Sequence, residues 1–422
     1  MPESQRIRAR YWIETAHEPE RAFEAMAGEQ SSGTFVKVPG ETPELKERHA
    51  ARVERLELLE SVSGPSLPGA SKPAGPTAWR RAEAELSWPL ENMGPSLPNL
   101  LATVAGNLFE LKQFSGLRLL DVQLPDAFRD AYPGPAFGAA GTRRLAGVER
   151  LPLIGMIIKP SVGLDPEATA AMVGRLAAGG IDFIKDDELQ ADGPHCPFAE
   201  RVAAVMRVIN EHADRSGKKV MFAFNLTGEV DEMRRRHDLV MEAGGTCVMA
   251  SIHSVGLPGL TALRRHAQLP IHAHRNGWGL YSRSPHIGVS YIAWQKLWRL
   301  AGADHMHVNG LRNKFCEPDD SVIASAKACL IPMFKGEGRG CEAMPVFSSG
   351  QWPGLAFDTY GQFGSTDLIH TAGGGVMAHP GGIEAGVESF RQAWQGALDG
   401  RTLEETAAEH AELRQAVEKF DR

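Results

Sequence analysis

From about residue 150 to residue 371, short apolar runs alternate with longer amphipathic stretches. Short apolar runs suit strands that are buried on both faces, whereas the longer stretches have the spacing of helices with one apolar face. Eight such strand–helix units in succession predict a parallel (β/α)8 barrel, the TIM barrel. The predicted strands are 153–159, 182–188, 220–225, 246–252, 270–275, 305–309, 344–348 and 367–371, and the clearest helices are 166–178, 198–214, 229–243 and 289–301.

The first 135 or so residues do not follow this alternation and are typical of a mixed α and β region. A stretch rich in Gly, Pro and Ser, residues 61–76, is predicted to be a long surface loop inside this region. We therefore expect an N-terminal α+β (ferredoxin-like) domain over residues 1–140 and a C-terminal barrel domain over residues 141–422. Further predicted elements are strands at 6–13, 53–60 and 81–88, a helix at 19–27, and a charged outer helix at 402–421.

The composition excludes several classes of function. The net charge is −7 and no dense run of Lys and Arg appears, which argues against general nucleic-acid binding. No apolar run reaches the roughly 18 residues that a membrane span needs, and the first residues lack the apolar core of a signal peptide. The five cysteines are scattered without a CxxC pair, as in a protein with reduced thiols. We therefore expect a cytoplasmic protein without nucleic-acid or membrane partners.

Polar residues cluster at the carboxyl ends of the predicted barrel strands, where enzymes of this fold carry their active sites. Taken singly, each is weak: a KDDE run is most often a solvated turn, a lone histidine is most often structural, and three glycines most often form a flexible turn. Their convergence at successive strand ends favours a functional site. The residues are Lys159, Lys185 to Glu188, His274, Arg275, His305, His307, Lys314, Ser348 to Gly350, and Gly373 to Gly375.

The acidic run after the second barrel strand has the chemistry of a magnesium site. Mg²⁺ takes oxygen ligands and keeps several waters, and Asp187 and Glu188 can supply two oxygens. A protonated Lys185 cannot bind a cation, but its carbamate, formed with CO₂, presents oxygens and a negative charge. A cation there would polarise a substrate carbonyl and stabilise an enolate, with Lys159 nearby as acid or base. Arg275 and the glycine turns suit a phosphate group.

These motifs, in this order, resemble those of the ribulose bisphosphate carboxylase (RuBisCO) large-chain family over nearly the whole chain. GMIIKPSVGL, residues 155–164, is similar to the family's motif at the first barrel strand, and GIDFIKDDE, residues 180–188, is similar to its metal motif. HR on strand five and DHMH on strand six follow in the expected order. The resemblance implies that Lys159, His274 and Lys314 are catalytic, and that Mg²⁺ is bound by Asp187, Glu188 and the CO₂-derived carbamate of Lys185.

Other matching motifs imply how a sugar phosphate substrate is held. EQSSGTF, residues 29–35, and GNLF, residues 106–109, resemble segments that reach the active site of the partner subunit. This implies a homodimer, or a higher oligomer of dimers, with composite sites. The implied substrate- and phosphate-binding residues are Arg275, His307, Ser348, Gly350, Gly373 and Gly374, and the residues implied to complete the partner's site are Glu29, Thr34 and Asn107.

Two departures separate this chain from the carboxylases of the family. Ser161 stands where the family motif has a second lysine, and Trp278 replaces a histidine three residues after Arg275. In carboxylases these two positions serve steps around CO₂ addition and product release, and serine cannot supply a cation and tryptophan does not titrate. The resemblance is therefore to the RuBisCO-like proteins (form IV), which keep the enolisation part of the site. We expect no carboxylation of ribulose bisphosphate.

Several reactions are known among RuBisCO-like proteins, and all pass through an enolate that Mg²⁺ stabilises. HRNGWG and HVNGLRNKF resemble the proteobacterial branch outside methionine salvage, which favours decarboxylation or carbon–carbon cleavage of 3-oxo-isoapionate 4-phosphate. The alternatives are a 2,3-diketo-5-methylthiopentyl-1-phosphate enolase, a 5-methylthioribulose-1-phosphate isomerase, another sugar-phosphate enzyme, and a non-catalytic scaffold. A scaffold is disfavoured because it has no reason to keep Lys159, Lys185, Asp187, Glu188 and His274 together.

Overall fold

Eight short parallel strands form a closed barrel in the structure, a computed structural model that describes residues 6–32, 39–335 and 339–421. Each strand overlaps one of the eight predicted strands, so the predicted (β/α)8 barrel is confirmed. The strands are β5 (Leu153–Ile157), β6 (Phe183–Lys185), β7 (Met221–Asn225), β8 (Cys247–Ser251), β9 (Ile271–His274), β11 (His305–His307), β12 (Met344–Phe347) and β13 (Ile369–Ala372). They are hydrogen-bonded in chain order, and β13 closes the barrel against β5.

Apolar side chains fill the interior of the barrel, which explains why the strands appear in the sequence as nearly unbroken apolar runs. Space at the centre is so limited that a Cβ atom on Gly155 would lie 2.9 Å from Cγ2 of Thr371 and 3.1 Å from the ring of Phe183. The core cluster consists of Ala146, Leu153, Phe183, Met221, Ala223, Cys247, Met249, Met344, Val346 and Ile369.

Helices alternate with the barrel strands along the chain. The first of them after β5, α6 (Pro166–Ala178), has the predicted bounds, because Pro166 occupies its first turn and the side chain of Asp165 accepts from the Ala168 N–H. No helix among the described residues is both long and apolar enough to cross a membrane. The others are α5 (Gly138–Ala146), α7 (Phe198–Ser216), α8 (Val230–Glu242), α9 (Ile252–His266), α12 (Asp319–Leu330), α13 (Leu355–Phe363), α14 (Gly374–Met377) and α15 (Ile383–Leu398).

The predicted single helix over 402–421 is wrong in detail, because the segment forms two helices, α16 (Leu403–Glu409) and α17 (Ala411–Phe420). His410 between them has an extended backbone, with φ −118° and ψ 113°, and therefore ends one helix and caps the next. Residue Thr402 starts α16 with a capping box, in which its side chain accepts from the Glu405 N–H and Glu405 accepts from the Thr402 N–H.

The N-terminal region forms a five-stranded sheet, which confirms the predicted α+β architecture. In order across the sheet the strands are β10, β4, β1, β3 and β2; all neighbours are antiparallel except β10 and β4, which are parallel. The strands are β1 (Arg6–Thr15), β2 (Arg52–Val62), β3 (Trp79–Pro89), β4 (Gly116–Gln123) and β10 (Ile287–Val289). The remaining α-helices of the described residues are α1 (Pro19–Glu29), α2 (Pro43–His49), α3 (Leu97–Ala105), α4 (Asp126–Ala131), α10 (Gly279–Ser282) and α11 (Tyr291–Ala301).

Contacts along the chain define two compact units. The first contains residues 1–132, 277–300 and 332–340, and the second contains residues 133–276, 301–331 and 341–422. The segment 277–300 joins the first unit because β10 pairs with β4, as in the backbone hydrogen bond from the Leu117 N–H to the His286 carbonyl. A domain boundary at residues 140 and 141 stays a prediction, because these units are defined by contacts and each combines several chain segments.

Candidate active site

All the predicted catalytic, metal-binding and phosphate-binding residues lie in the second unit, at or shortly after the carboxyl ends of barrel strands. Of the residues predicted to complete a partner's site, Glu29 ends α1 and Asn107 begins a short 3-10 helix, both in the first unit. Thr34 lies outside the described residues. The predicted catalytic, metal-binding and phosphate-binding residues therefore all belong to one compact unit.

The predicted catalytic lysine contacts one of the predicted metal ligands. The Lys159 ammonium donates to Oδ2 of Asp187 at 2.5 Å and to Oγ of Ser161 at 2.9 Å. Burial alone would raise the pKa of Asp187, but hydrogen bonds from Lys159 and from the Leu189 N–H hold it below its ordinary value. The Asp187 carboxylate is therefore ionised at neutral pH, and Ser161, which departs from the family motif, contacts the lysine directly.

Lys185 is wholly buried beside the second predicted ligand. Its Nζ donates to the Asp186 carbonyl oxygen at 2.7 Å and lies 3.8 Å from Oε2 of Glu188. Burial lowers the pKa of Lys185 below its ordinary value, although the three neighbouring carboxylates oppose this shift. A lowered pKa increases the fraction of neutral amine, and the neutral amine is the form that reacts with CO₂.

The middle carboxylate of the KDDE run has a structural role. Oδ2 of Asp186 accepts from the Arg201 guanidinium at 3.2 Å and from the Asn225 N–H at 2.9 Å, and both charged side chains are buried. Asn225 also donates from Nδ2 to the backbone carbonyls of Asp187 and Glu188, each at 3.3 Å. Asp186 and Asn225 thereby hold the acidic run in shape. Asn225 was not among the predicted site residues, although its position at the end of β7 was a usable signal.

His274 faces the same acidic group from β9. Its Nε2 lies 3.5 Å from Oε2 of Glu188, and its Nδ1 lies 3.1 Å from Oδ1 and 3.2 Å from the backbone nitrogen of Asn276. Burial, helped by the charge of Lys185, lowers the pKa of His274 to about 4, so the ring is neutral at pH 7. The structure thus brings Lys159, Lys185, Asp187, Glu188 and His274 into one cluster.

The predicted phosphate-binding residues form a second group at neighbouring strand ends. Nδ1 of His307 lies 3.1 Å from Oγ of Ser348. The turn that follows has positive φ angles, 72° at Ser349 and 82° at Gly350, and the Lys314 N–H donates to the Ser349 carbonyl at 3.4 Å. Lys314, which is predicted to be catalytic, therefore contacts this turn with its backbone while its side chain is exposed.

The glycine turn after β13 lies beside Lys159, the predicted catalytic lysine. A Cβ on Gly373 would lie 3.5 Å from Cγ and 3.6 Å from Cε of Lys159, whereas a Cβ on Gly374 would meet nothing within 4 Å. The turn leads directly into α14, whose first residue is Gly374. Gly373 and Gly374 thus expose backbone at the edge of the cluster, as a phosphate-binding turn requires.

Arg275, also predicted to bind phosphate, forms an ion pair with a carboxylate that was not among the predicted site residues. Its Nη2 donates to Oε2 of Glu317 at 2.5 Å, and only 6% and 14% of the two side chains are exposed. Asn309 donates to the same oxygen at 2.8 Å, and Ser321 donates to Oε1 at 3.1 Å. Glu317 therefore fixes the guanidinium. No sequence signal marked it, because it lies in an irregular loop.

Replacing Glu317 by glutamine should lower the free energy of unfolding by about 3 kcal/mol, because it removes the carboxylate that pairs with the buried Arg275 guanidinium. The pair of Arg312 and Asp358 has the same 2.5 Å separation, but its side chains are 54% and 53% exposed, so Asp358→Asn should cost less than about 1 kcal/mol. Urea unfolding of both variants measures the difference. Equal losses would contradict the structural role of Glu317.

Trp278, the second departure from the carboxylase pattern, packs within the first unit. Its ring lies 5.3 Å from that of Tyr291, 6.1 Å from that of Tyr281 and 6.2 Å from that of Trp294, measured between centroids. Only 7% of its surface is exposed. The residue that replaces the family's histidine is therefore part of an aromatic cluster, with no titrating group to offer.

A separate cluster of potential cation ligands, His237, Asp238 and His266, lies at the ends of α8 and α9. Oδ1 of Asp238 is 3.0 Å from Nδ1 of His237 and 2.6 Å from Nε2 of His266. The Gln268 N–H donates to Nε2 of His237, which leaves the ring proton on Nδ1, the atom that a cation would need. The arrangement therefore favours a hydrogen-bonded link between two helices over a metal site.

Two fully buried histidines should make the protein sensitive to acid. Burial lowers the pKa of His305 and of His370 to about 3, from an ordinary value near 6.5. As the pH falls from 6.5 toward 3, the unfolded chain takes up protons that the folded chain cannot, so folded stability is present above pH 6.5 and is lost below it. The free energy of unfolding should fall by roughly 3 kcal/mol per pH unit from these two residues.

Urea unfolding at several pH values between 7 and 5 measures this slope. His370→Gln should reduce the slope by about 1.4 kcal/mol per pH unit, since one shifted ring is gone. The exposed His195 provides the control, because His195→Gln should leave the slope unchanged. A slope that is the same in wild type and His370→Gln would show that the buried ring does not resist protonation.

Comparison with known proteins identifies the family. Residues 139–420 match the family described as the ribulose bisphosphate carboxylase large chain, catalytic domain, and residues 1–128 match the corresponding N-terminal domain. The chain belongs to the RuBisCO large-chain family. The resemblance drawn from the KDDE, HR and DHMH motifs is thereby confirmed.

Several relatives within the RuBisCO family are similar over almost their whole length. A 3-oxo-isoapionate-4-phosphate transcarboxylase/hydrolase from Xanthobacter autotrophicus is 59% identical, with 98% of this chain and 99% of the relative covered. A 3-oxo-isoapionate-4-phosphate decarboxylase from Rhizobium etli is 45% identical, with 97% of each covered. The crystal structure of a rubisco-like protein from Burkholderia fungorum has a TM-score of 0.92 at 47% identity, covering 99% of this chain and 100% of that one.

Two solved RuBisCO enzymes with the same fold are described as oligomers. One from Pyrococcus horikoshii OT3 is described as octameric and has a TM-score of 0.84 at 30% identity, covering 99% of this chain and 94% of that one. One from Hyperthermus butylicus is described as dimeric and has a TM-score of 0.84 at 29% identity, covering 100% and 97%.

Proposed function

We propose that this chain is a Mg²⁺-dependent enzyme that breaks the bond to the carboxyl group of 3-oxo-isoapionate 4-phosphate. The observation that carries the proposal is the convergence of two lysines, two carboxylates and a neutral histidine: Lys159, Lys185, Asp187, Glu188 and His274. The substrate is taken from the relatives that are 59% and 45% identical. A scaffold protein would have no use for a buried lysine whose pKa is lowered.

The residues present fit Mg²⁺. The carbamate of Lys185 would add an oxygen beside Glu188, whose Oε2 already lies within 3.8 Å of Nζ, and Asp187 would supply another from the side that Lys159 now occupies. When bound, Mg²⁺ supplies positive charge that stabilises negative charge on the substrate's keto oxygen. Asp186 stays with Arg201 and is not counted among the ligands.

In any 3-oxo acid the carbonyl carbon C3 is bonded directly to C2, the carbon that carries the carboxyl group, and this decides the chemistry. When the carboxyl group leaves, its bonding electron pair moves onto the 3-oxo oxygen, and an enolate forms. Lys159, whose side chain is 40% exposed, is the ammonium donor positioned to protonate that enolate. Arg275, His307 and the turn at Gly373 suit the 4-phosphate.

Between the two named reactions, transcarboxylation with hydrolysis is favoured over simple decarboxylation. Identity to the transcarboxylase/hydrolase is 59%, against 45% to the decarboxylase, over similar coverage. In both, the first bond broken is that to the carboxyl group, so the same residues serve the first step. They differ in whether the carboxyl group leaves as CO₂ or is retained in a product.

An assay of the purified protein with several substrates side by side tests the proposal. With Mg²⁺ and bicarbonate present, 3-oxo-isoapionate 4-phosphate should be consumed. The methylthio-ketose phosphates of methionine salvage should not react, and ribulose bisphosphate should give no phosphoglycerate, since Ser161 and Trp278 replace two groups of the carboxylases. Turnover of the methylthio compounds alone would overthrow the proposed substrate.

We further propose that the chain is a homodimer with composite sites. Each subunit would supply Asn107 and Glu29 to the partner's site, as the sequence resemblance implies. Mixing two inactive variants, Lys185→Ala and Asn107→Ala, and allowing their subunits to exchange should restore about one quarter of wild-type activity. Half of the dimers would then contain one subunit of each variant, and one of the two sites in each such dimer would be intact. Light scattering should give a mass of at least a dimer. Active monomers, or a mixture without recovery, would contradict the composite site.

A further inference from the structure

Two buried histidines lie side by side on neighbouring barrel strands. The Nε2 atoms of His272 on β9 and His307 on β11 are 2.7 Å apart, and the rings are nearly perpendicular, at 89°. Burial holds the pKa of each ring well below its ordinary value, so both rings are neutral and each carries one proton. Only one proton can lie between the two Nε2 atoms, so the hydrogen bond runs in one of two directions.

The far end of a connected series of polar groups sets the direction. The carboxylate of Glu317 can only accept, and it accepts from Nδ2 of Asn309 at 2.8 Å. This orients the amide so that its Oδ1 faces Ser349, whose Oγ must therefore donate across 3.0 Å. Ser349 has a single hydroxyl proton, so toward Ser348, 3.3 Å away, it can only accept.

The direction of the hydrogen bonds at the two histidines follows from Ser349. Ser348 gives its proton to Ser349, so it accepts from Nδ1–H of His307 at 3.1 Å. His307 then has a bare Nε2, which accepts from Nε2–H of His272. Nδ1 of His272 is left without a proton, and it has no hydrogen-bond partner among the described residues. The reverse direction would bury an N–H there without an acceptor, which native proteins avoid more strictly than an unpaired acceptor.

We propose that this one-directional chain of hydrogen bonds makes the Ser348 hydroxyl a donor to an anionic group of the substrate, with His272 as its positioning residue. The chain consists of His272, His307, Ser348, Ser349, Asn309 and Glu317. At 3.3 Å the Ser348–Ser349 contact is long for an O–H···O bond, so the Ser348 proton can turn to an anion at small cost. In the reverse direction Ser348 would donate its proton to His307, and only its oxygen lone pairs would face the anion.

This inference rests on the proposed function only in taking the anion to be the substrate's phosphate; the direction of the chain does not depend on it. His272 touches no substrate in this account. It acts through His307, whose tautomer it selects. The effect should therefore appear in anion binding more than in the chemical step.

A matched pair of variants tests the role of His272. Glutamine and methionine have similar length and volume, but only His272→Gln can place an N–H near the position of Nε2. His272→Met should weaken binding of inorganic phosphate to the Mg²⁺-loaded protein by about 10- to 100-fold in calorimetry, and should raise KM for the sugar-acid phosphate more than it lowers kcat. His272→Gln should stay within a few-fold of wild type. Thermal unfolding of both variants checks that each is folded.

The tautomer of His307 is a second readout that needs no turnover. In protein with ¹⁵N-labelled histidine, two-bond ¹H–¹⁵N spectra should show the His307 proton on Nδ1, with the signal assigned by its loss in His307→Gln. A proton on Nε2, or equal phosphate affinity in the Met and Gln variants, would overturn the proposal. If the sugar-acid phosphate is not turned over while the tautomer and phosphate results hold, only the proposed function fails.

Discussion

Replacing Lys185 with methionine is expected to reduce Mg²⁺-dependent turnover by more than about 100-fold. Such a loss exceeds the usual effect of removing a residue that only supports a metal ligand. Methionine fills the buried space of the lysine stem but cannot form a carbamate, so Asp187 and Glu188 would remain as the only ligands. The amine of Lys185 is buried and its pKa is lowered, so the neutral form that reacts with CO₂ is accessible. Activity against Mg²⁺ and bicarbonate concentration measures the effect.

The control for Lys185→Met is the nearby Lys218→Met, since Lys218 pairs with Asp182 at the opposite end of β6 from the KDDE run. That variant should keep its requirement for Mg²⁺ and its response to bicarbonate. In wild type, a chelator should abolish activity, and Mg²⁺ with bicarbonate should restore it. Turnover by Lys185→Met that still rises with bicarbonate would rule out the carbamate on this residue.

Loss of Lys159 should slow turnover by roughly 10²- to 10⁴-fold, the range of a positioned acid or base. Its ammonium is 2.5 Å from Oδ2 of Asp187, one of the carboxylates that would hold Mg²⁺. Lys159→Met removes both the charge and the proton, whereas Lys159→Arg keeps the charge but cannot exchange its proton at neutral pH. Both variants should therefore be slow at saturating Mg²⁺ and substrate.

The alternative role for Lys159 is to neutralise Asp187 without taking part in proton transfer. In that case Lys159→Arg would recover most of the activity, and Lys159→Met would be limited by its Mg²⁺ affinity and rescued by more Mg²⁺. Ser161→Ala is the milder comparison, because it removes only the 2.9 Å hydrogen bond to the ammonium. It should cost less than about tenfold, the value of one ordinary hydrogen bond.

Much of the fold could be predicted because its strongest signals are local. Strands buried on both faces leave apolar runs in the sequence, and α6 shows both its N-terminal proline and its capping aspartate. The pairing of β10 with β4 could not be predicted in this way. It joins a three-residue strand to one about 170 positions earlier, and such a short strand has no periodicity of its own.

The candidate site, like the fold, could be predicted only where its signals are local. The cluster of Lys159, Lys185, Asp187 and Glu188 was predictable because these residues follow β5 and β6, which are adjacent in both chain and barrel. The partners that orient them were not: Arg201 lies on a helix face, where its pairing with Asp186 leaves no pattern, and Glu317 lies in an irregular loop. His272 was overlooked because a single histidine within a strand is most often structural.

The fate of the carboxyl carbon tests the central claim most directly. With 3-oxo-isoapionate 4-phosphate carrying ¹³C at the carboxyl group, ¹³C NMR of the reaction with Mg²⁺ should show that the labelled carbon is no longer bonded to C2. Label in a new carboxylate product would support transcarboxylation, and label in bicarbonate would support decarboxylation; either agrees with a site that stabilises an enolate. A labelled carbon that is still bonded to C2 after the substrate is consumed would contradict the account, because no enolate would have formed for Mg²⁺ to stabilise and Lys159 to protonate.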